Sequence, residues 1–187
     1  IMRGIVERIL IITPGGLTKQ WQEDEMGVKF NIPFTLVNRS LFTADPNIFR
    51  TANKIVTSID FISREDVLSV VSNTSWDMVI FDESHKLSAY EYGQKTYKSK
   101  RYEAAYVLSQ QCEHMLLLTA TPHRGRTDTF KKLLQLLDED IFATDDVATE
   151  RVKELSKDGL NKFFIRRLKE DMKDWNGNNL YKNRYTR

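Results

Sequence analysis

Short unbroken apolar runs alternate along this chain with segments whose apolar residues recur every three or four positions. In Arg8-Ile9-Leu10-Ile11-Ile12-Thr13 the four residues from Ile9 to Ile12 are apolar without alternation, and Pro14-Gly15-Gly16 stops the run, so it predicts a buried strand. Leu17, Trp21 and Met26 fall on one helical face and predict a helix over 17–26. Strands are expected at 34–37 and 54–58, then a helix over 59–71 with Ile62, Leu68 and Val71 in the core. Met78-Val79-Ile80-Phe81 marks 77–82 as the central strand. A helix follows at 100–111, through Ala104, Ala105, Val107 and Leu108, and a buried strand at 115–119, ended by Pro122. The last periodic segment, 127–137, predicts an amphipathic helix capped by Asp128, with Phe130, Leu133, Leu134 and Leu137 as its stripe.

Strands that are apolar throughout and separated by helices imply an α/β fold, a parallel sheet with helices on both faces. Function in such sheets gathers outside the carboxyl ends of the strands. Three candidate motifs fall at such ends, after Ile12, after Phe81 and after Leu118, so the sheet would bring them to one edge. Past Leu137 the pattern stops and Asp138, Glu139, Asp140, Asp145 and Asp146 follow. The organisation expected is a lobe over 1–140, then a helical segment and an irregular tail over 141–187.

Composition narrows the class. A chain of 187 residues with 41% hydrophobic content can fill one core of ordinary size. The net charge of +2 permits a polyanionic partner without requiring one. Cys112 is the one cysteine, which rules out an internal disulfide and fits a reducing, cytoplasmic compartment. It and the three histidines lack any metal-ligand spacing, so no zinc site is expected. No apolar run approaches the roughly 20 residues of a membrane span. The charged residues Arg3, Glu7 and Arg8 exclude a secretory signal at the start.

Asp82-Glu83-Ser84-His85 carries most of the chemistry. Alone it also describes a charged strand end; four further motifs in order decide otherwise. Ile9 to Leu17, with Trp21 and Glu25, resembles motif Ia of superfamily-two helicases and translocases, the Swi/Snf-type branch above all. Val56-Thr57-Ser58-Ile59-Asp60 resembles the next strand-end motif of that branch. Asp82-Glu83-Ser84-His85 is similar to motif II, the D-E-x-H box, with Ser84 where Ala is commoner. Leu116-Leu117-Leu118-Thr119-Ala120-Thr121-Pro122 is similar to motif III, and Phe164 to Asp171 resembles the Arg-Arg-x-Lys segment leading towards a second lobe.

The resemblance implies a RecA-like P-loop NTPase lobe using ATP and Mg²⁺, with double-stranded DNA as partner. Asp82 would hold Mg²⁺, directly or through water, and Glu83 would polarise the attacking water. His85, Thr119 and Thr121 would couple nucleotide state to lobe movement. Thr13, Pro14, Gly15 and Ser58 would meet nucleic acid at strand ends. Lys98, Lys100 and Arg101, interleaved with tyrosines, would add a basic contact.

The chain also departs from the family's pattern, above all in its phosphate loop. A phosphate loop needs Gly-Lys, and no such pair occurs. The string from Ala120 to Thr127 substitutes Ala for the first Gly and Arg for Lys, and Pro122 removes a backbone donor. The expectation is a lobe incomplete at its N-terminus, inactive by itself, whose phosphate loop lies upstream and whose second lobe lies elsewhere. Two alternatives stay open: the motor of a restriction or phage-defence enzyme, and a non-catalytic nucleic-acid-binding module.

Overall fold

Strand β1 (Ile9–Thr13) is buried along its whole length because it lies mid-sheet, with neighbours on both sides and cover on both faces. In the computed structural model, which describes residues 6–92, 95–121 and 127–138, the sheet also contains β2 (Thr35–Leu36), β3 (Lys54–Ser58), β4 (Trp76–Phe81) and β7 (Cys112–Leu117). Their order is β2-β3-β1-β4-β7, and every pairing is parallel. Between β4 and β7 the chain forms a separate antiparallel ribbon, β5 (Ala89–Tyr92) with β6 (Lys95–Lys98). The chain divides into two units, Ile1–Ala148 and Thr149–Arg187, and all described residues belong to the first.

The period-2 geometry of strands sorts the core into two clusters. Leu10, Ile12, Ile55, Val79 and Phe81 face one side. There they pack on Phe42 of α2 (Arg39–Ala44), Phe49 of α3 (Ile48–Thr51) and Ile62 of α4 (Ile59–Ile62). Val67 and Val71 of α5 (Glu65–Val71), Ala105 and Leu108 of α6 (Lys100–Ser109), and Leu133 and Leu136 of α7 (Thr127–Leu137) complete that side. Ile9, Ile11 and Val56 face the other side and meet Trp21, Met26 and Phe34. The first two of these lie on the wide-wound helix Trp21–Lys29, which continues α1 (Thr18–Gln20). Helices on both faces of a parallel sheet are therefore present, as the apolar strands predict.

Several expectations need correction. The central strand is β1, with β4 beside it. The helix expected over 59–71 breaks at Ser63–Arg64, and Val67, not Leu68, is buried. Val107 is only partly buried, whereas Tyr102 is buried. The strand expected over 115–119 begins at Cys112, ends at Leu117 and is only partly covered, with Leu116 exposed. It pairs with β4 alone among the described residues, which makes it an edge strand there. The α2 and α3 helices were not expected at all. His123, Arg124 and the Arg-Arg-x-Lys segment lie outside the described residues, as does the side chain of Asp128, whose backbone is in α7.

Candidate active site

The carboxyl ends of β1, β4 and β7 are laced together by backbone hydrogen bonds. Asp82 N–H donates to the Ile12 carbonyl, Leu118 N–H to that of Phe81 and Ser84 N–H to that of Leu118, each at 2.8 Å. The turn after β4 is thus fixed to both neighbouring strands. Glu83 sits in the left-handed region, φ 51° and ψ 44°. For a residue with a Cβ that conformation costs about 1–2 kcal/mol. It persists because the flanking residues are pinned, and such cost concentrates where geometry serves function.

Both oxygens of Asp82 are engaged. Oδ1 accepts from the Glu83 N–H at 2.9 Å and Oδ2 from the Trp21 indole Nε1–H at 2.8 Å. Trp21 lies 61 residues upstream, on the helix that covers the Ile9, Ile11 and Val56 face of the sheet, and the sequence marks it only as part of a helical apolar face and of the first motif. It both packs there and orients the carboxylate. The one available signal was a Trp, which carries a donor, on the helix that follows β1.

Glu83 Oε2 lies 2.9 Å from His85 Nδ1, and the same nitrogen lies 3.1 Å from Thr119 Oγ1. A carboxylate only accepts, which assigns a proton to Nδ1 and makes it a shared donor at this junction. Thr119 Oγ1 in turn accepts the Thr121 N–H at 3.1 Å. The two predicted coupling threonines therefore act unequally: Thr119 uses its hydroxyl, Thr121 its backbone. Ser84 is buried, and its hydroxyl has no partner among the described residues, which fits a position where Ala would serve.

The strand-end residues expected to meet nucleic acid divide. Thr13 is fully buried and its hydroxyl donates to the Pro14 carbonyl at 2.9 Å, so a contact by that hydroxyl is not what the structure presents. Ser58 caps α4, accepting the Phe61 N–H at 3.2 Å. Gly15 and Gly16 line a cleft of about 590 Å³ with Lys19, Asn38, Arg39, Ser58 and Phe61. Pro14 is half-buried beside it. Lys19 and Arg39, missed in the sequence, are the cations of that cleft. Arg39 is tied to Asp66 at 2.6 Å; the bond raises the guanidinium's pKa and holds the Asp66 carboxyl below its ordinary value.

The predicted basic patch is also divided. Arg101 gives both Nε and Nη2 to Asp60 Oδ1 at 2.7 Å. Lys98 lies over the Tyr106 ring, 5.2 Å from its centroid. Lys100 lines a second cleft, of about 600 Å³, with Asp60, Arg64, Asp66 and Lys86. No cluster of three or more potential metal-ligating side chains occurs among the described residues. No helix there is long and apolar enough to cross a membrane.

Comparison with known proteins decides the family. The model of the SNF2-related domain matches residues 1–181. The chain belongs to the SNF2-related domain family. This SNF2 lobe is 34% identical over 148 residues to the RNA polymerase-associated protein RapA of Yersinia enterocolitica, and likewise to that of Yersinia pseudotuberculosis. Each match covers 76% of this chain, which spans only 15% of the relative's length. Among solved structures, the Sulfolobus solfataricus SWI2/SNF2 ATPase core in complex with dsDNA aligns with a TM-score of 0.60 at 15% identity. That alignment covers 87% of this chain and 32% of the other, and it supports the RecA-like fold of the SNF2 lobe.

Proposed function

We propose that this SNF2 lobe supplies the hydrolytic residues of an ATP-driven motor that moves on DNA, double-stranded DNA being the favoured track. The observation that carries the reading is the Glu83–His85–Thr119 junction. It joins the carboxylate best placed for catalysis to the end of the neighbouring strand. A charged strand end with no further role would not need a left-handed Glu83 held at this junction.

The donor set suits Mg²⁺, a hard cation that keeps several waters and needs only one or two carboxylates beside the phosphates. Asp82 is the residue that would hold it. Bound there, Mg²⁺ would neutralise charge on the phosphate oxygens during transfer. Trp21 and the Glu83 N–H keep the Asp82 carboxylate in one orientation. Glu83 commits Oε2 to His85, and Oε1 is the atom available to orient a water for attack.

Coupling follows from the same contacts. A displacement of Thr119 bears on His85 Nδ1, and through it on Glu83. The cleft beside Gly15, Lys19 and Ser58 is the surface offered to a phosphate backbone, with exposed backbone and cations at the ends of β1 and β3. The dsDNA in the Sulfolobus complex supports a duplex track, by likeness of fold.

Full-length protein carrying Asp82→Asn or Glu83→Gln tests the assignment. Both variants should melt as the wild type does and lose DNA-stimulated ATP turnover. Near-wild-type turnover in both would leave the lobe as a binding module without hydrolytic chemistry.

A further inference from the structure

The β5–β6 ribbon is not used by the chemistry above. Its register pairs Tyr90 with Tyr97 and Tyr92 with Lys95. Directly opposed residues share a face, as do residues two apart, so these four side chains lie on one side of the ribbon. Tyr90 and Tyr97 stack at 5.4 Å between centroids and 17° between planes. Tyr92 is 74% exposed, and Tyr90 and Tyr97 are 40% and 46% exposed. The opposite face is the anchored one: Ala89 is fully buried, and Lys98 lies over Tyr102 and Tyr106 of α6.

A free two-stranded ribbon is marginal in water, so its fixation matters. Ser99 N–H donates to the Ser88 carbonyl at 3.0 Å and closes the ribbon's base. The Arg101–Asp60 pair ties the start of α6 to α4, two residues past Ser58. The ribbon therefore rises from the sheet edge that carries the proposed nucleic-acid cleft. Its outward face combines three aromatic rings with a lysine and has no carboxylate at any of the four positions.

We propose that this face is a stacking surface for unpaired nucleotides, with Tyr92 and the Tyr90–Tyr97 pair meeting bases and Lys95 meeting a phosphate. The inference rests on the nucleic-acid reading of the lobe and adds a strand form to it. Base faces inside a duplex are covered by their neighbours. Only an open strand offers them to tyrosine, and such stacking tolerates any sequence. The lysine on the same face favours a polyanion over an apolar protein surface.

Fluorescence anisotropy on full-length protein tests this, with a labelled oligothymidylate and a blunt duplex of equal length as probes. Tyr92→Ala should weaken oligothymidylate binding by about fivefold to a hundredfold, the effect of one lost stack, and leave duplex binding unchanged. Tyr92→Phe should bind as the wild type does. Lys95→Gln should lower the salt dependence of single-strand binding by about one contact. Tyr97→Ala should act like Tyr92→Ala. If it loosens the ribbon, Tyr92→Ala alone decides, because so exposed a ring contributes little packing.

Wild-type protein that ignores oligothymidylate overturns the proposal. So do Tyr92→Ala protein that binds it normally and equal losses on single strand and duplex. Glu83→Gln separates this from the motor assignment: turnover lost on Glu83→Gln beside unchanged Tyr92→Ala binding refutes the ribbon alone. Turnover kept on Glu83→Gln beside a selective Tyr92→Ala defect refutes the hydrolytic reading alone.

Discussion

Trp21 shows how a residue that packs the core can also serve the site. Its ring lies in the cluster under β1, and its N–H reaches the Asp82 carboxylate. Trp21→Phe keeps most of the ring and removes the donor. A hydrogen bond to a charged acceptor contributes about 1.5–3 kcal/mol, so about a tenfold or greater loss of ATP turnover is expected. The loss should come with a higher Mg²⁺ requirement, measured as turnover against Mg²⁺ concentration in full-length protein. An unchanged Mg²⁺ profile would reduce Trp21 to packing. Asp77 works at the other end of β4: its Oδ2 accepts the Glu7 and Arg8 N–H groups at 2.7 and 2.9 Å. The Arg8 N–H bond, then that of Glu7, holds the Asp77 carboxyl below its ordinary pKa. A depressed carboxyl stabilises the fold above its unfolded pKa of about 3.9 and loses that contribution as pH falls through the folded value. The stability gap between wild type and Asp77→Asn, followed by denaturant melts, should therefore be full at neutral pH and shrink in acid. A gap constant down to strongly acidic pH would contradict this.

At the scale of elements, legibility tracked the strength of the local signal. β1 and β4 were readable from the apolar runs Ile9-Leu10-Ile11-Ile12 and Met78-Val79-Ile80-Phe81, and β3 from its β-branched Ile55-Val56-Thr57. The break between α4 and α5 was written in the chain as Ser63-Arg64-Glu65-Asp66, acidic residues opening a new helix inside an apolar period. The α2 and α3 helices are short, and Asn38, which caps α2 by accepting the Leu41 N–H, is their clearest mark. The ribbon was visible only as tyrosines among lysines, since pairing register is a long-range property. Motif order located the Asp82–Glu83 turn, but which threonine touches His85 depended on where β7 ends. That difference is testable in full-length protein. Thr119→Ala should keep basal ATP turnover and lose its stimulation by duplex DNA, whereas Thr121→Ala should change little, because its N–H remains. ATP turnover with and without duplex decides; equal defects in both variants would show that the Thr121 hydroxyl takes part.

At the scale of the whole lobe, one end of the sheet holds structure and the other is offered for chemistry. At the amino ends of the strands, Arg8 binds the carbonyls of Phe49, Arg50 and Ser75 and covers the Trp76 ring at 5.1 Å. At the carboxyl ends lie the Asp82–Glu83 turn, the His85–Thr119 contact and the cleft beside Ser58. The chain spans about 15% of the length of the RapA relatives it matches, and the motor reading is a proposal for the full-length protein. Displacement of a third strand from a DNA triplex tests it most directly, because it reads movement and hydrolysis in one reaction. The account predicts displacement that requires ATP and disappears in Glu83→Gln protein that still binds duplex. Displacement by Glu83→Gln protein at the wild-type rate would contradict it.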